Sequence, residues 1–266
     1  MCAVTGTSGY VGSRIAAHLG DAGWQVQELA RPGFRLGDTP DLGGVDALVH
    51  CAWDFEARDW DEIERTNVQG SKRLLEAAAA AGVGRLIFLS TLSAFEGARS
   101  LYGCAKLAVE AHALELGGAV VRSGLVWGDE AGALYGALRG IALRTPVLPV
   151  PSNGRRKLHL AHEADLGALV AHLAAAPSVP ARPIVAAAPV PLALAEILRR
   201  AAAAKGRRLR TLPIPWRLPW AALRALELVG LRPPFRSDSL VSLVSLEQEP
   251  FRAADPPLLP FRPFEP

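Results

Sequence analysis

The stretch TGTSGYVGSR, which runs from Thr5 to Arg14, decides the fold expected of this chain. Its glycines fall at three-residue intervals, at Gly6, Gly9 and Gly12, directly behind the short apolar run CAV. A strand followed by a glycine turn and a helix leaves unpaired N–H groups at the helix N-terminus, where the helix dipole favours a phosphate. The stretch therefore predicts a strand–turn–helix unit that binds a dinucleotide, although a turn with a purely structural role uses glycines too.

The first half of the chain alternates strand and helix patterns, which predicts a parallel sheet covered by helices on both faces. The predicted strands are CAVT, WQVQEL, DALVHCAW, RLIFLS and GAVVRSGLVWG. After Gly128 prolines become frequent, and Leu212–Phe235 is a helical region interrupted by Pro and Trp. We expect an α/β, doubly wound core over residues 1–185 and a smaller, apolar substrate-capping region over 186–266, whose tail (254–266) wraps the core in extended form.

The bulk composition excludes several classes of protein. The chain has 266 residues, of which 50% are hydrophobic and 21% charged, and its net charge is only +3, as in a globular protein. The densest basic stretch, Lys205–Arg210, is too short to predict nucleic-acid binding. The run LPWAALRALELVGL contains Arg224 and Glu227 and is too short to span a bilayer. We expect no signal peptide and no membrane or nucleic-acid partner, hence a cytoplasmic protein.

Three cysteines, Cys2, Cys51 and Cys104, are odd in number and lack metal-binding spacing. Buried thiols in a reducing compartment are therefore expected, with no metal site.

The TGxxGxxG spacing resembles the short-chain dehydrogenase/reductase superfamily, and in particular its extended, epimerase/dehydratase-like branch. The resemblance covers about residues 4–172 and implies a Rossmann fold that binds NAD or NADP. Gly6 would permit a tight turn, Gly9 would let the backbone approach the pyrophosphate, and Gly12 would let helix and strand pack closely. The loop side chains expected beside the cofactor are Thr7, Ser8, Tyr10 and Val11.

The end of the second strand, VQELAR, bears on the choice between the two cofactors. Ala30 takes the acidic position that would bind the ribose hydroxyls of NAD, and Arg31 follows it, which favours the 2′-phosphate of NADP. Arg31 could instead stack on the adenine or face solvent, and Glu28 would favour NAD if the register slipped by one pleat.

The stretch SLYGCAKLAVEAH carries the strongest chemical signal, because Tyr102 and Lys106 lie four residues apart on one helix face. A phenol with an ordinary pKa near ~10 needs help to exchange protons at neutral pH, and we expect Lys106 to lower the pKa of Tyr102. The family resemblance implies a third catalytic hydroxyl at the end of RLIFLSTLSAF. Counting from the strand gives Thr91, with Ser93 as the second choice, whereas counting back from Gly97 gives Leu92, which cannot serve.

Further stretches resemble family segments around the cofactor. DALVHCAW resembles a strand ending in V-x-H-x-A-A, so Ala52 and Trp53 would line the cofactor or substrate, while His50 is expected to be structural. Asn67 in TNVQGSKRLLEAA would either brace the site or serve as a structural amide, and Ser123 replaces the usual proline of LRPxxVYG. Asp165 is expected to cap a helix.

Together these residues imply an NAD(P)H-dependent oxidoreductase of the ketoreductase or alcohol dehydrogenase type, with NADP(H) favoured over NAD(H). Tyr102 would pass the proton, Lys106 would hold the ribose, and the substrate would be small or hydrophobic.

A sugar-nucleotide epimerase, dehydratase or 4-ketoreductase is the alternative, with Arg155, Arg156 and Arg236 as the candidate diphosphate ligands. A non-catalytic NADP-binding regulatory protein is a further alternative, and a homodimer could form through the helices at Asp59–Ala81 and Tyr102–Leu116.

Overall fold

The computed structural model describes residues 1–130, 132–151, 157–231, 233, 235–246, 250–251 and 257–266. Its strands are β1 (Cys2–Thr5), β2 (Val26–Leu29), β3 (Ala47–His50), β4 (Arg85–Thr91), β5 (Ala119–Ser123), β6 (Leu125–Trp127), β7 (Val147–Pro151), β8 (Lys157–Leu158), β9 (Leu160–His162), β10 (Ile184–Ala186), β11 (Leu192–Ala193) and β12 (Arg210–Ile214). Its α-helices are α1 (Tyr10–Asp21), α2 (Trp60–Ile63), α3 (Gln69–Ala80), α4 (Leu101–Glu115), α5 (Ala133–Arg144), α6 (Glu163–Ala175), α7 (Leu194–Ala203), α8 (Arg217–Leu228) and α9 (Ser237–Val244), and a π-helical turn (Glu64–Val68) joins α2 to α3.

Six strands form the central sheet in the order β10-β5-β4-β3-β1-β2, and every neighbouring pair is parallel. The predicted doubly wound Rossmann sheet is thus confirmed. The strand order reverses beside β1, so the glycine turn that follows β1 lies at the switch point, where such sheets bind ligands.

Alternation along the strands divides the core into two layers, because successive side chains of a strand point to opposite faces. In β1, Cys2 and Val4 pack with Ile15 and Leu19 of α1 in one cluster, to which α6 also contributes. Ala3 belongs to the opposite cluster, to which α3 and α4 contribute side chains. Each face of the sheet is therefore sealed by helices, which explains why its strands are almost wholly apolar.

A third apolar cluster draws on both sides of residue 185, and it includes Trp127, Tyr135, Leu160, Leu198 and Phe264. The stretch predicted as one strand, GAVVRSGLVWG, is divided at Gly124 into β5 and β6. A Cβ at Gly124 would overlap with the carbonyl oxygen of His159, so only glycine lets the chain approach the residue before β9 so closely. Strand β6 then pairs with β9 outside the central sheet and leads into the third cluster.

The C-terminal residues 257–266 have no regular secondary structure and follow the surface of the core, as expected for the described part of the tail. Phe261 is buried in the first cluster and Phe264 in the third. Between them, the Arg262 guanidinium donates to both carboxylate oxygens of Asp165, with Nε–Oδ1 at 2.9 Å. The prediction that Asp165 caps α6 is wrong, because His162 is the N-cap residue and Asp165 anchors the tail.

No described helix combines the length and the apolarity that crossing a bilayer requires.

We expect Gly12→Ala to lower the free energy of unfolding by about 1–3 kcal/mol, because its Cβ would overlap with the carbonyl oxygen of Gly6 and push α1 away from β1. Gly20→Ala, in the same helix, is the matched control, since nothing lies within 4 Å of a Cβ there. That change should stabilise the chain by about 0.5–1 kcal/mol. Urea unfolding measures both, and equal effects of the two changes would contradict the close contact at Gly12.

Candidate functional site

The glycine turn is shaped by backbone contacts that exclude larger residues. Gly6 has φ +76°, and a Cβ there would come within 2.8 Å of the Ala52 backbone. The Gly6 N–H donates to the carbonyl oxygen of Leu29 at 2.9 Å, and the Gly9 N–H donates to that of Gly6 at 2.9 Å. Gly9 is the N-cap residue of α1, and no side chain caps this helix. The turn thus leaves the first N–H groups of α1 open to an anion.

The side chains of the loop have different surroundings. Thr7 Oγ1 is buried and has no hydrogen-bond partner, whereas Ser8 is exposed and Val11 packs against the first cluster. The Tyr10 hydroxyl donates to the carboxylate of Glu163 at the start of α6. An uncapped helix, an unpaired hydroxyl and glycines that admit no Cβ together fit a diphosphate.

Arg31 lies just beyond β2 and is 58% exposed, and its Nη2 is 4.0 Å from Oδ1 of Asp54. Asn67, fully buried in the π-helical turn, accepts from the Asp54 N–H at 2.7 Å and donates to the Asp54 carbonyl oxygen at 3.0 Å. Asn67 thus fixes the backbone of the segment that follows β3. The sequence pattern at the end of β2 gives no indication of Asp54, because this carboxylate follows β3 and meets Arg31 only in the folded chain.

His50 is a fully satisfied, buried histidine. Its Nδ1 is 2.8 Å from Thr5 Oγ1, and its Nε2 is 2.8 Å from Ser71 Oγ. Burial, aided by the nearby Lys106 charge, lowers the pKa of His50 to about 3. The expectation of a structural histidine is confirmed. Thr5 Oγ1 also accepts from the Ala52 N–H at 3.0 Å, which ties the end of β3 to the end of β1.

Lys106 carries its ammonium into an enclosed, largely aromatic site, where the side chain is 3% exposed. Its Nζ donates to the carbonyl oxygen of Leu89 at 2.8 Å. It lies 4.2 Å from the ring centroid of Trp53 and 4.6 Å from that of Phe88. Because burial disfavours the charged form, the pKa of Lys106 falls to about 7.

Tyr102 packs against Trp53 edge to face, with ring centroids 5.6 Å apart, and against Phe55 at 6.0 Å. The Lys106 Nζ is 5.9 Å from the centroid of the Tyr102 ring. Burial among these rings raises the pKa of Tyr102 above its ordinary value. The prediction that Lys106 lowers this pKa is wrong for this structure, because the loss of hydration outweighs the distant charge.

The predicted hydroxyls lie where β4 meets α4. Thr91 is the last residue of β4, in register with Ser123 of β5, and its Oγ1 accepts from the Ser93 N–H at 3.2 Å. Ser123 Oγ donates to the carbonyl oxygen of Ser90 at 3.2 Å. A Cβ at Gly103 would overlap with the Ser93 carbonyl oxygen. The hydroxyl turn therefore packs directly on the helix turn that carries Tyr102.

Asp238 of α9 binds the N-terminus of α4 from 136 residues away in sequence. Its Oδ1 accepts from the Leu101 N–H at 2.8 Å, and its Oδ2 accepts from the Tyr102 N–H at 3.1 Å. Ser100 Oγ satisfies a further N–H, that of Gly103. The sequence contains no signal for this contact, because an acidic residue in a first helical turn ordinarily serves its own helix.

The remaining predictions concern the candidate diphosphate arginines, the cysteines and metal binding. The Nη1 of Arg236 donates to the carbonyl oxygens of Phe55 and Ala57, at 3.1 and 2.8 Å, and Arg155 and Arg156 lie outside the described residues. The three cysteines are free thiols. Within the described part of the chain, no group of three or more His, Cys, Asp or Glu could hold a metal ion.

Comparison with known proteins shows what the N-terminal half of this chain is similar to. Residues 2–125 match the model of the NAD dependent epimerase/dehydratase family. This match covers the strands and helices from β1 to the start of β6, and it agrees with the resemblance to the extended branch of the short-chain dehydrogenase/reductase superfamily. Such proteins bind NAD(P), for which the glycine turn is fitted.

Two named enzymes are similar in sequence to part of this chain. Ceramide reductase of Caulobacter vibrioides is 31% identical over an alignment of 175 residues, gaps included, and the match covers 58% of this chain and 55% of that protein. A ketoreductase of Stigmatella aurantiaca, named for 4-hydroxy-2-methyl-3-oxo-4-farnesyl-3,4-dihydroquinoline-1-oxide, is 29% identical over an alignment of 204 residues, gaps included, and the match covers 61% of each chain. The chain thus spans little more than half the length of these relatives.

Among solved structures, MoeE5 in complex with UDP-glucuronic acid and NAD matches 80% of this chain and 85% of its own. The TM-score is 0.68 and the identity is 21%, so this likeness concerns the fold.

The lowered pKa of Lys106 predicts a pH-dependent stability. Between pH about 7 and the ordinary value of 10.5, the unfolded chain keeps a proton that the folded chain has released, so stability rises with pH. The destabilisation from this buried charge is complete below pH about 7. We therefore expect the parent chain to gain stability relative to Lys106→Met as the pH rises from about 6.5 to about 9.5. A difference in urea unfolding that is independent of pH would contradict this.

Proposed function

We propose that this chain is an NAD(P)H-dependent oxidoreductase of the ketoreductase or alcohol dehydrogenase type. The observation that carries the proposal is the pair formed by Tyr102 and Lys106, which lie one helical turn apart on α4. This helix follows Thr91, the last residue of β4, and the carboxyl ends of the parallel strands bring it to the side of the sheet where the glycine turn follows β1. The names of the relatives, a ceramide reductase and a ketoreductase for a farnesylated quinoline oxide, support carbonyl reduction on a hydrophobic skeleton.

In this proposal the uncapped N-terminus of α1, Thr7 and the glycine turn hold the diphosphate of the cofactor. The bound nicotinamide supplies the hydride chemistry. Burial keeps the Tyr102 phenol protonated at neutral pH, so this hydroxyl is suited to donate a proton to a carbonyl oxygen. Thr91 Oγ1 accepts from the Ser93 N–H, so its own hydrogen remains available to polarise the same oxygen.

Lys106 has two roles in the proposal. With a pKa of about 7, its amine is protonated in part of the population at neutral pH, and the ammonium would stabilise the phenolate left when Tyr102 gives up its proton. It would also hold the nicotinamide ribose. Trp53, which lies over the Lys106 ammonium and against Tyr102, would shape the wall between cofactor and substrate.

NADP(H) is the proposed cofactor rather than NAD(H), because Arg31 is exposed at the end of β2, where a 2′-phosphate is recognised. Asp54 faces this arginine in the structure, and the phosphate would take its place as the partner of the guanidinium.

We further propose that residues 1–185 bind the cofactor while 186–266 cap the substrate. The free thiols fit a reducing, cytoplasmic setting. A homodimer through the region from α2 to α3 and through α4 is proposed from the family resemblance, and sedimentation velocity would test it.

A sugar-nucleotide epimerase, dehydratase or 4-ketoreductase is the second candidate, favoured by the fold shared with MoeE5. Such an enzyme needs cationic side chains that bind a nucleotide diphosphate. Arg236, one of the candidates, uses its Nη1 for two backbone carbonyls, which weighs against this role. NAD retained through purification would favour this candidate, whereas NADPH consumed in step with a ketone would favour the reductase. NADPH binding without turnover on any ketone would favour a regulatory protein.

Replacing the proposed proton donor is the direct test of the chemistry. Tyr102→Phe should lower kcat by about 100- to 10,000-fold, since general acid catalysis is lost, while the Kd for NADPH changes little. Tyr135→Phe is the matched control, because Tyr135 lies in the third cluster, and its kcat should equal that of the parent. NADPH oxidation with a panel of hydrophobic ketones measures both, and a fully active Tyr102→Phe variant would refute the assignment.

The cofactor preference is tested at Arg31. We expect Arg31→Ala to raise the Kd for NADPH about tenfold or more, since a charge-assisted contact is lost, and to leave the Kd for NADH nearly unchanged. Asp54→Asn should lower the Kd for NADPH, because it removes the carboxylate that competes for the guanidinium. Fluorescence titration of the parent and both variants gives these constants, and a parallel loss of affinity for both cofactors in Arg31→Ala would reject a 2′-phosphate contact.

A further inference from the structure

Helix α8 has an outer face composed only of apolar side chains. The spacing of Leu218, Ala221, Ala222, Ala225 and Leu228 places them on one side of the helix, and Val229 extends that side. Leu218 is 63% exposed, Leu228 74% and Val229 72%. No residue of this completely described helix is buried. We call these six residues the α8 outer face.

The helix is nevertheless firmly attached to the rest of the chain. Glu227, on its other side, accepts from the N–H and the hydroxyl of Ser237 at 2.8 and 2.6 Å. The exposed face is therefore a feature of a docked helix, and an apolar face of this kind usually marks an interaction surface.

The sequence segment that contains this helix is strongly cationic, whereas charge is nearly balanced in the rest of the chain. Residues 205–236 contain eight Lys and Arg but a single carboxylate, that of Glu227, whereas the rest of the chain has 21 Lys and Arg against 25 Asp and Glu. Arg217 and Arg224 lie along one border of the α8 outer face, and both are exposed. A cationic border beside an apolar face is complementary to an anionic surface with an apolar interior.

We propose that the α8 outer face docks on an anionic lipid bilayer, with α8 lying in the plane of the headgroups. A second copy of the chain fits this face less well, because pairing would bring two strongly cationic segments together. The proposal concerns a contact on the membrane surface and no span, and it replaces the sequence-based expectation of no membrane partner. It does not depend on the proposed function, since binding to vesicles requires no turnover.

Flotation of the full chain with vesicles tests the proposal. We expect binding to vesicles of phosphatidylglycerol and phosphatidylcholine, and much weaker binding to phosphatidylcholine alone. Leu218→Ser combined with Leu228→Ser should lower the partition coefficient by about tenfold or more, with an unchanged melting temperature, because both side chains are already in solvent. Val190→Ser is the matched control, since Val190 is 70% exposed outside α8 and should bind as the parent does.

The charge contribution is tested separately. Arg217→Gln should weaken binding to the anionic vesicles about fivefold, which corresponds to the loss of one basic residue near the surface, and added salt should have the same effect. Failure of the parent chain to float with anionic vesicles would overturn the proposal, as would binding that survives the double serine change. A dimer in sedimentation velocity that the same serine changes dissociate would also overturn it, and would assign the face to a second copy.

Discussion

The close approach of α1 to the end of β1 is the constraint on which the rest of the structure depends. Gly12 lies so near the Gly6 carbonyl that no side chain fits between them, and Gly6 itself lies against the Ala52 backbone. This contact brings the open N-terminus of α1 to the switch point of the sheet, beside the end of β3. The Thr5 hydroxyl holds β1 and β3 in the same relation. A diphosphate site is therefore a consequence of packing and not an addition to it.

The second constraint is the enclosed ammonium of Lys106. Removing a charge from water is unfavourable unless other groups replace hydration, and here the Leu89 carbonyl and the faces of Trp53 and Phe88 do so in part. The compensation is incomplete, as the lowered pKa of Lys106 records. The same aromatic enclosure raises the pKa of Tyr102. Burial thus moves both groups toward their neutral forms.

The C-terminal part of the chain is connected to this site by polar contacts. Glu227 of α8 binds Ser237, the next residue Asp238 caps α4 at Tyr102, and Arg236 holds the loop at Phe55. On the other side of the molecule, Arg262 anchors the tail to Asp165. Residues more than a hundred positions later in the sequence therefore hold the helix turn that carries Tyr102. The surface helix α8 is connected to this turn through Ser237 and Asp238 of α9.

Features that depend on local spacing could be read from the chain alone: the glycine turn, the alternation of strands and helices, the placement of Tyr102 and Lys106 on one helix face, and His50 as a core residue. These follow from chain geometry over a few residues, so the parallel sheet could be predicted without any tertiary contact. Packing between distant segments was needed to show that Asp54 faces Arg31, that Asp238 rather than a local residue completes the cap of α4, and that Asp165 anchors the tail. It also reversed the expected direction of the Tyr102 pKa. The physical reason is that burial and long-range partners arise from packing between distant segments, and the spacing of residues along the chain does not encode how much water each one loses.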